Sequence, residues 1–193
     1  MNGMKNYLIM LKKKKFCVSV LQGTTGSGKT LVYFERIKKI IEKNKQALVL
    51  LPEIFLTNQF QSTLEEFFGF PPAVWHSRTT PKNKRIILKG IIQNKIKLII
   101  GARSSLMLPF KKLGIIIVDE EHDVSYKQDS PMPCYDAREI AIEIVKRNSA
   151  KLIFGSATPS MKTWKKCIFE KNFKMVRMSQ RISSKEIPEI KII

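Results

Sequence analysis

Acidic residues and cysteines are scarce in this sequence, and long uncharged apolar runs are absent from it. The three cysteines, Cys17, Cys134 and Cys167, lie far apart and form no Cys-x-x-Cys pair. Such spacing offers neither a disulfide framework nor a zinc site, so reduced thiols and no zinc are expected. No uncharged stretch reaches the roughly 18 residues needed to span a bilayer. In the first residues an apolar stretch precedes the basic run Lys12 to Lys15, whereas a secretory leader puts its positive charge first. No membrane segment is expected, and a cytoplasmic location is. No internal repeat or low-complexity tract appears beyond the short lysine run.

The deficit of acid has its own consequence. Lys and Arg number 35 against 16 Asp and Glu, a formal net charge of +19. Coulomb attraction and counterion release then favour a polyanionic partner, nucleic acid first among them. The same crowding of Lys, Ile and Asn is what codon bias in an AT-rich genome produces, so charge alone does not decide. With 193 residues and 44% hydrophobic content, one α/β domain with one good core is the default.

Short β-branched apolar runs alternate with stretches of helical period, the pattern of βαβ units and a parallel sheet covered on both faces. Strands are expected at Cys17 to Leu21, Gln46 to Leu51, Ala73 to Trp75, Lys97 to Ile100, Gly114 to Val118 and Lys151 to Phe154. Between the first two, Tyr33, Phe34, Ile37, Ile40 and Ile41 share one helical face. A second helix carries Leu56, Phe60, Leu64, Phe67 and Phe68. A third opens at Thr80 and Pro81, a cap followed by proline in the first turn. A fourth opens at Asp136, whose spacing to Glu139 reads as a capping box. These apolar stripes are expected to be core. From Ser179 onward helical period is lost, which predicts a linker.

Two constellations carry chemistry. Gly23, Thr24, Thr25, Gly26, Ser27, Gly28, Lys29 and Thr30 complete a phosphate-binding P-loop between an expected strand and an expected helix. The glycines let successive N–H groups and the helix N-terminus face phosphate oxygens. Lys29 is placed to reach the β and γ phosphates and Thr30 to ligate Mg²⁺, which makes ATP and Mg²⁺ the expected cofactors. Downstream, the apolar strand ending at Val118 emerges into Asp119, Glu120, Glu121 and His122. A carboxylate cluster repels itself unless a cation is near. Asp119 is the expected second metal residue, and Glu120 the expected base for the water that attacks the γ-phosphate, so Lys29, Asp119 and Glu120 form the expected catalytic set.

The P-loop, the Asp-Glu-Glu-His box and Gly155-Ser156-Ala157-Thr158-Pro159-Ser160 occur in an order and separation that resemble superfamily 2 helicases. Further segments resemble the primosomal helicases within them. These are Leu51-Pro52-Glu53-Ile54 with Leu56-Thr57, Trp75-His76-Ser77, Gly101-Ala102-Arg103-Ser104-Ser105 with Pro109-Phe110, and the stretch from Asp123 to Arg138. The resemblance runs from Leu21 to about Met178. It implies a RecA-like P-loop domain with a mostly parallel sheet flanked by helices on both faces, and single-stranded or forked DNA as partner. It also implies that Pro52, Glu53, Thr57, Arg103 and Ser104 line a path for single-stranded DNA. Tyr126 and Tyr135 would belong to a loop that senses the strand, with base stacking on tyrosine as a physical possibility. Ser156 and Thr158 would bond the box carboxylates and couple nucleotide state to DNA grip, with His122 in the same network.

Several family features are missing. There is no second RecA-like lobe with its arginine finger, no zinc-binding cysteine pairs and no N-terminal DNA-binding domain. The glutamine-containing segment that recognises adenine is replaced by Met1 to Lys15, and the family's usual Val and Glu are Thr24 and Leu31 here. The expected division is a basic extension at 1–15, the ATP-binding lobe at 16–178, and a linker at 179–193 toward a second lobe. A truncated or split form with weak ATPase activity is expected, with a separately encoded second lobe and primosome proteins as the partners the resemblance implies. Two other readings stay open: a catalytically inactive nucleic-acid-binding module, and the motor lobe of another superfamily 2 translocase.

Overall fold

The computed structural model describes residues 17–178, so the expected basic extension and linker lie outside the described residues. In chain order the elements are β1 (Val18–Gly23), α1 (Lys29–Ile41), β2 (Gln46–Leu50), α2 (Asn58–Phe68), β3 (Ala73–Trp75), α3 (Pro81–Ile92), β4 (Leu98–Gly101) and β5 (Leu113–Val118). Then come β6 (Lys127–Gln128), β7 (Tyr135–Asp136), α4 (Ala137–Asn148), β8 (Lys151–Ser156), α5 (Met161–Phe169) and β9 (Phe173–Met178). Seven strands make one sheet in the order β3-β4-β2-β5-β8-β1-β9, and every neighbouring pair in it is parallel. β6 and β7 form a separate antiparallel ribbon.

A parallel sheet must be covered on both faces, because each helical crossover lies across it. The period-two pleat divides the core accordingly. Leu48, Leu50, Ile116 and Val118 pack with Ile87 and Ile91 of α3 and with Ala137, Ala141 and Val145 of α4. Ala47, Val49, Ile115 and Ile117 pack on the other face with Val32, Phe34 and Ile37 of α1 and with Leu64 of α2. The strands β2 and β5 are buried at every position, which is why they read as continuous apolar runs.

Helix ends follow the sequence in part. Thr80 accepts from Asn83 N and Pro81 occupies the first turn of α3, as the sequence indicates. Leu56, expected on the second helix, precedes it; Thr57 is the cap and accepts from Phe60 N. The capping box at Asp136 needs correction. Asp136 does cap α4, accepting from Arg138 N, but the Glu139 carboxylate turns to Lys162 and Lys166 of α5 at 3.0 and 2.8 Å. Two paired ammonium groups outweigh one backbone N–H as partners for an ionised oxygen.

Both α5 and β9 escape sequence reading. The nine-residue α5 carries three lysines that blur its apolar period, and β9 is an edge strand exposed at Lys174 and Arg177. The pleat of β9 still buries Phe173, Val176 and Met178. Because all seven strands run the same way, the loops after β1, β5 and β8 open on one edge of the sheet.

Candidate active site

The loop after β1 curls because Gly26 and Gly28 take positive φ, 80° and 88°, a conformation costly for residues with a Cβ. Ser27 N donates to Thr24 O at 3.1 Å. The ammonium of Lys29, which is buried, donates to the carbonyls of Gly23 at 2.6 Å and Thr24 at 3.3 Å. Gly28 precedes α1 with no side-chain cap, and no acidic residue stands in the helix's first turn. The positive end of the helix dipole and its first N–H groups are thereby left to an external anion.

The box lies at the end of β5, two positions from β1 in the sheet with only β8 between. Asp119 N donates to Leu50 O at 3.0 Å, tying the box to β2. Asp119 Oδ1 accepts from the Tyr33 hydroxyl at 2.9 Å. Burial raises the Asp119 pKa, while the Tyr33 hydrogen bond and the Lys29 charge pull it down. The P-loop and the box thus stand on the same edge of the sheet, near enough for the Lys29 charge to be felt at Asp119. Glu120 adopts a left-handed backbone, φ 47°, a conformation uncommon for a non-glycine residue and concentrated at functional sites.

Tyr33 reaches Asp119 only because β8 has a glycine between them. A Cβ on Gly155 would fall 1.5 Å from the Tyr33 oxygen and 2.9 Å from Asp119 Oδ1. By its spacing Tyr33 belongs to the core stripe of α1. It is buried there, but its hydroxyl belongs to the site. Spacing offered a faint signal, since Tyr33 follows Lys29 by four residues and so shares its helix face.

The third box carboxylate is structural. Glu121 is fully buried and accepts from Ser160 N at 3.0 Å, Ser160 Oγ at 2.7 Å and Thr163 Oγ1 at 2.6 Å. Arg138 donates to the Glu121 carbonyl at 2.8 Å, and Glu121 N to Gly155 O at 2.9 Å. Glu121 thus fastens the start of α5 to the box. The expectation that Ser156 and Thr158 bond the carboxylates is corrected. Ser156 Oγ lies 2.8 Å from His122 Nδ1 and accepts from Thr158 N at 3.0 Å. His122 Nδ1 in turn stands 3.6 Å from Glu120 Oε2, so the path from Ser156 to a carboxylate runs through the imidazole.

Beside the box a groove of about 580 Å³ opens at the ends of β2 and β4, and Pro52, Glu53, Arg103, Ser104, Tyr126 and Tyr135 all line it. Arg103 donates to the carbonyls of Ser125 and Lys127 at 3.0 and 3.1 Å, so it holds the loop that follows the box. Thr57 is spent on capping α2 and is not among the groove-lining residues. Tyr126 cannot offer a ring face to a base, which corrects the stacking expectation. It is buried, and its hydroxyl donates to Asp119 O at 2.5 Å with Leu50 O at 3.0 Å. Tyr135 is half-buried on the groove wall.

The residues suit a magnesium nucleotide. Ser27 Oγ is buried with no hydrogen-bond partner among the described residues, and a Cβ on Gly23 would lie 2.4 Å from it. A buried, unpartnered hydroxyl in the same loop as uncapped N–H groups suits phosphate oxygens as partners. No cluster of three His, Cys, Asp or Glu among the described residues could hold a metal ion. Magnesium is commonly bound through one or two protein groups together with phosphates, which fits Thr30 and Asp119.

A parallel α/β sheet with a glycine-rich phosphate loop and an acidic box on one edge is the fold of a RecA-like helicase lobe. Residues 6–167 match the DEAD/DEAH box helicase family, and the chain belongs to that family. Over 175 residues it is 45% identical to the replication restart protein PriA of Rickettsia conorii, covering 91% of this chain and 27% of that protein. It is 38% identical over 179 residues to PriA of Bacillus subtilis, covering 91% and 22%. The chain therefore spans about a quarter of the length of these curated relatives. Among solved structures, RecG bound to a three-way DNA junction is similar with a TM-score of 0.69 at 24% identity, covering 95% of this chain and 24% of that one. The Pyrococcus furiosus Hef helicase domain gives 0.63 at 18%, covering 89% and 37%. No described helix is long and apolar enough to cross a membrane.

Proposed function

We propose that this chain is the nucleotide-binding motor lobe of a replication-restart DNA helicase, taking ATP with Mg²⁺ at the P-loop and single-stranded DNA in the adjoining groove. The reading is carried by the common edge on which the Lys29 loop and the Asp119 box meet, two strands apart with the Lys29 charge acting on Asp119. Lys29 and the uncapped start of α1 hold the phosphates. Thr30 and Asp119 would hold Mg²⁺, which when bound neutralises charge on the phosphate oxygens. Glu120 orients and deprotonates the attacking water. Tyr126 ties the Asp119 carbonyl to the groove wall, and His122 links Glu120 to Ser156. The Tyr126 contact gives the groove and the nucleotide site a shared part through which grip and hydrolysis are coupled, and the His122 link joins the box to the end of β8.

Arginine fingers contribute about 10³ to 10⁵ in rate in phosphoryl transfer, so the lobe alone binds nucleotide and turns it over slowly, a second lobe being needed for unwinding. The test is ATP-Mg affinity and hydrolysis with and without single-stranded DNA, in the native chain and in Lys29→Ala. DNA-stimulated turnover abolished by the substitution is expected. Unchanged affinity in Lys29→Ala would overturn the site, and duplex unwinding by the 193 residues alone would overturn the half-site reading.

A further inference from the structure

Among the described residues positive charge does not collect at the groove, where the charged lining residues are Glu53, Arg103 and Asp123. A row of lysines stands instead on the opposite edge of the sheet, where the strands begin. Lys45 precedes β2, Lys97 precedes β4, Lys112 precedes β5 and Lys151 opens β8. These four strands are consecutive, β4-β2-β5-β8, so at the usual strand spacing the row crosses about 15 Å. Backbone bonds fix it: Gln46 N donates to Lys112 O at 2.8 Å and Ala47 N to Lys97 O at 2.7 Å. The Lys45 stem lies over Gly114, where a Cβ would approach Lys45 Cβ to 3.0 Å. Asn44 Oδ1 accepts from Lys97 Nζ at 2.5 Å. The last turn of α1 adds Lys38 and Lys39 to the same edge, and Lys43 follows.

The cations are close enough to act on one another. Burial first, then Arg36, Lys43, Lys39 and Lys45, lower the Lys151 pKa; burial and then Lys112 lower that of Lys97. Crowding like charges costs free energy that an external polyanion would offset.

We propose that this edge is a second nucleic-acid surface, separate from the groove, that holds the phosphate backbone of a duplex. A duplex carries one charge per about 1.7 Å of its axis, so a rigid row of this width meets several phosphates. Residues 43–46, 95–98, 111–113 and 149–152 contain no aromatic side chain, and unpaired strands are held in large part by stacking on such rings. Lysine ammonium groups bind phosphate as point charges, without reading sequence.

The test is a salt titration of the full chain's affinity for a blunt labelled duplex, with single-stranded DNA and a fluorescent ATP analogue measured alongside. Lys45→Gln/Lys97→Gln/Lys112→Gln is expected to lower the slope of log affinity against log salt by about 2–3 and to weaken duplex binding about 10- to 100-fold at low salt. The corresponding triple arginine variant retains the native slope, and each single glutamine variant loses about 1. Arg103→Ala leaves duplex binding unchanged, so failure of the groove reading and failure of this one are distinguishable. An unchanged slope in the triple glutamine variant overturns the proposal. So does loss of binding to anionic phospholipid vesicles with duplex binding intact, which would assign the edge to a membrane surface.

Discussion

Replacing Gly155 by alanine tests whether β8 is glycine at that point for the sake of the Tyr33–Asp119 contact. The added Cβ lies 1.5 Å from the Tyr33 oxygen, so the hydroxyl must retreat by roughly 2 Å to reach van der Waals contact. Tyr33 is buried and packed among Val32, Ile37 and Ile153, so the ring has no open space to move into. Overpacking of this kind costs about 1–3 kcal/mol, and the lost Tyr33–Asp119 bond adds about 1.5–3 kcal/mol if Asp119 is ionised. For a chain of this size each kcal/mol lowers the melting temperature by about 2–4 °C. The Tyr33→Phe variant discriminates the causes. It deletes the oxygen but leaves the ring carbon that bore it 2.7 Å from the new Cβ, so Gly155→Ala is expected to cost less in that background, with a coupling of about 0.5–3 kcal/mol. Urea unfolding of the four proteins, read as midpoint and slope, supplies the cycle. Strictly additive costs, or a native midpoint in Gly155→Ala, would refute the reasoning.

Three further outcomes are expected. Glu121→Gln keeps the shape of the side chain but replaces an acceptor oxygen with a donor facing Ser160 or Thr163, at a cost of about 1–3 kcal/mol for the group left unsatisfied; amide exchange should quicken across residues 160–169 and little elsewhere. At Asp136 and Glu139 burial opposes ionisation but is outweighed by Arg138 and by Lys166 with Lys162, so both pKa values are lowered. The stability they contribute is therefore present above the unfolded carboxylate pKa, about 4, and is lost as pH falls through the lower folded values. Urea midpoints at fixed ionic strength should fall less steeply below pH 4 in Glu139→Gln than in the native chain, and identical slopes would count against the ion pairs. Arg103→Ala removes both bonds to the loop carbonyls, so protease cleavage within 125–135 should quicken and single-stranded DNA should bind about 10-fold more weakly, whereas native cleavage and affinity would show the guanidinium to be idle.

The order of P-loop, acidic box and Gly155–Ser160 segment was legible in the chain because each is a contiguous run whose backbone conformation is set by its own residues. The glycines at 26 and 28 turn the loop wherever it is placed, and the all-apolar runs at 47–50 and 115–118 demand burial on two faces. Caps such as Thr80 are equally local. The roles that escaped reading depend on what another strand or helix presents. Tyr126 is an aromatic residue in a polar loop, and nothing around it in sequence says that its hydroxyl ends beneath Asp119. Tyr33 looks like any core residue until β8 brings Gly155 past it.

By itself, then, the sequence determined the phosphate loop, the acidic strand end and the alternation that builds a parallel sheet, since these are local in conformation and periodic in hydrophobicity. Only tertiary structure decided which of three adjacent carboxylates is buried as a fastening for α5 and which are left at the P-loop edge of the sheet. It alone gathered lysines from four separate connections into one row. Both outcomes depend on strand order, which brings residues tens of positions apart within a few ångströms and which no local preference encodes.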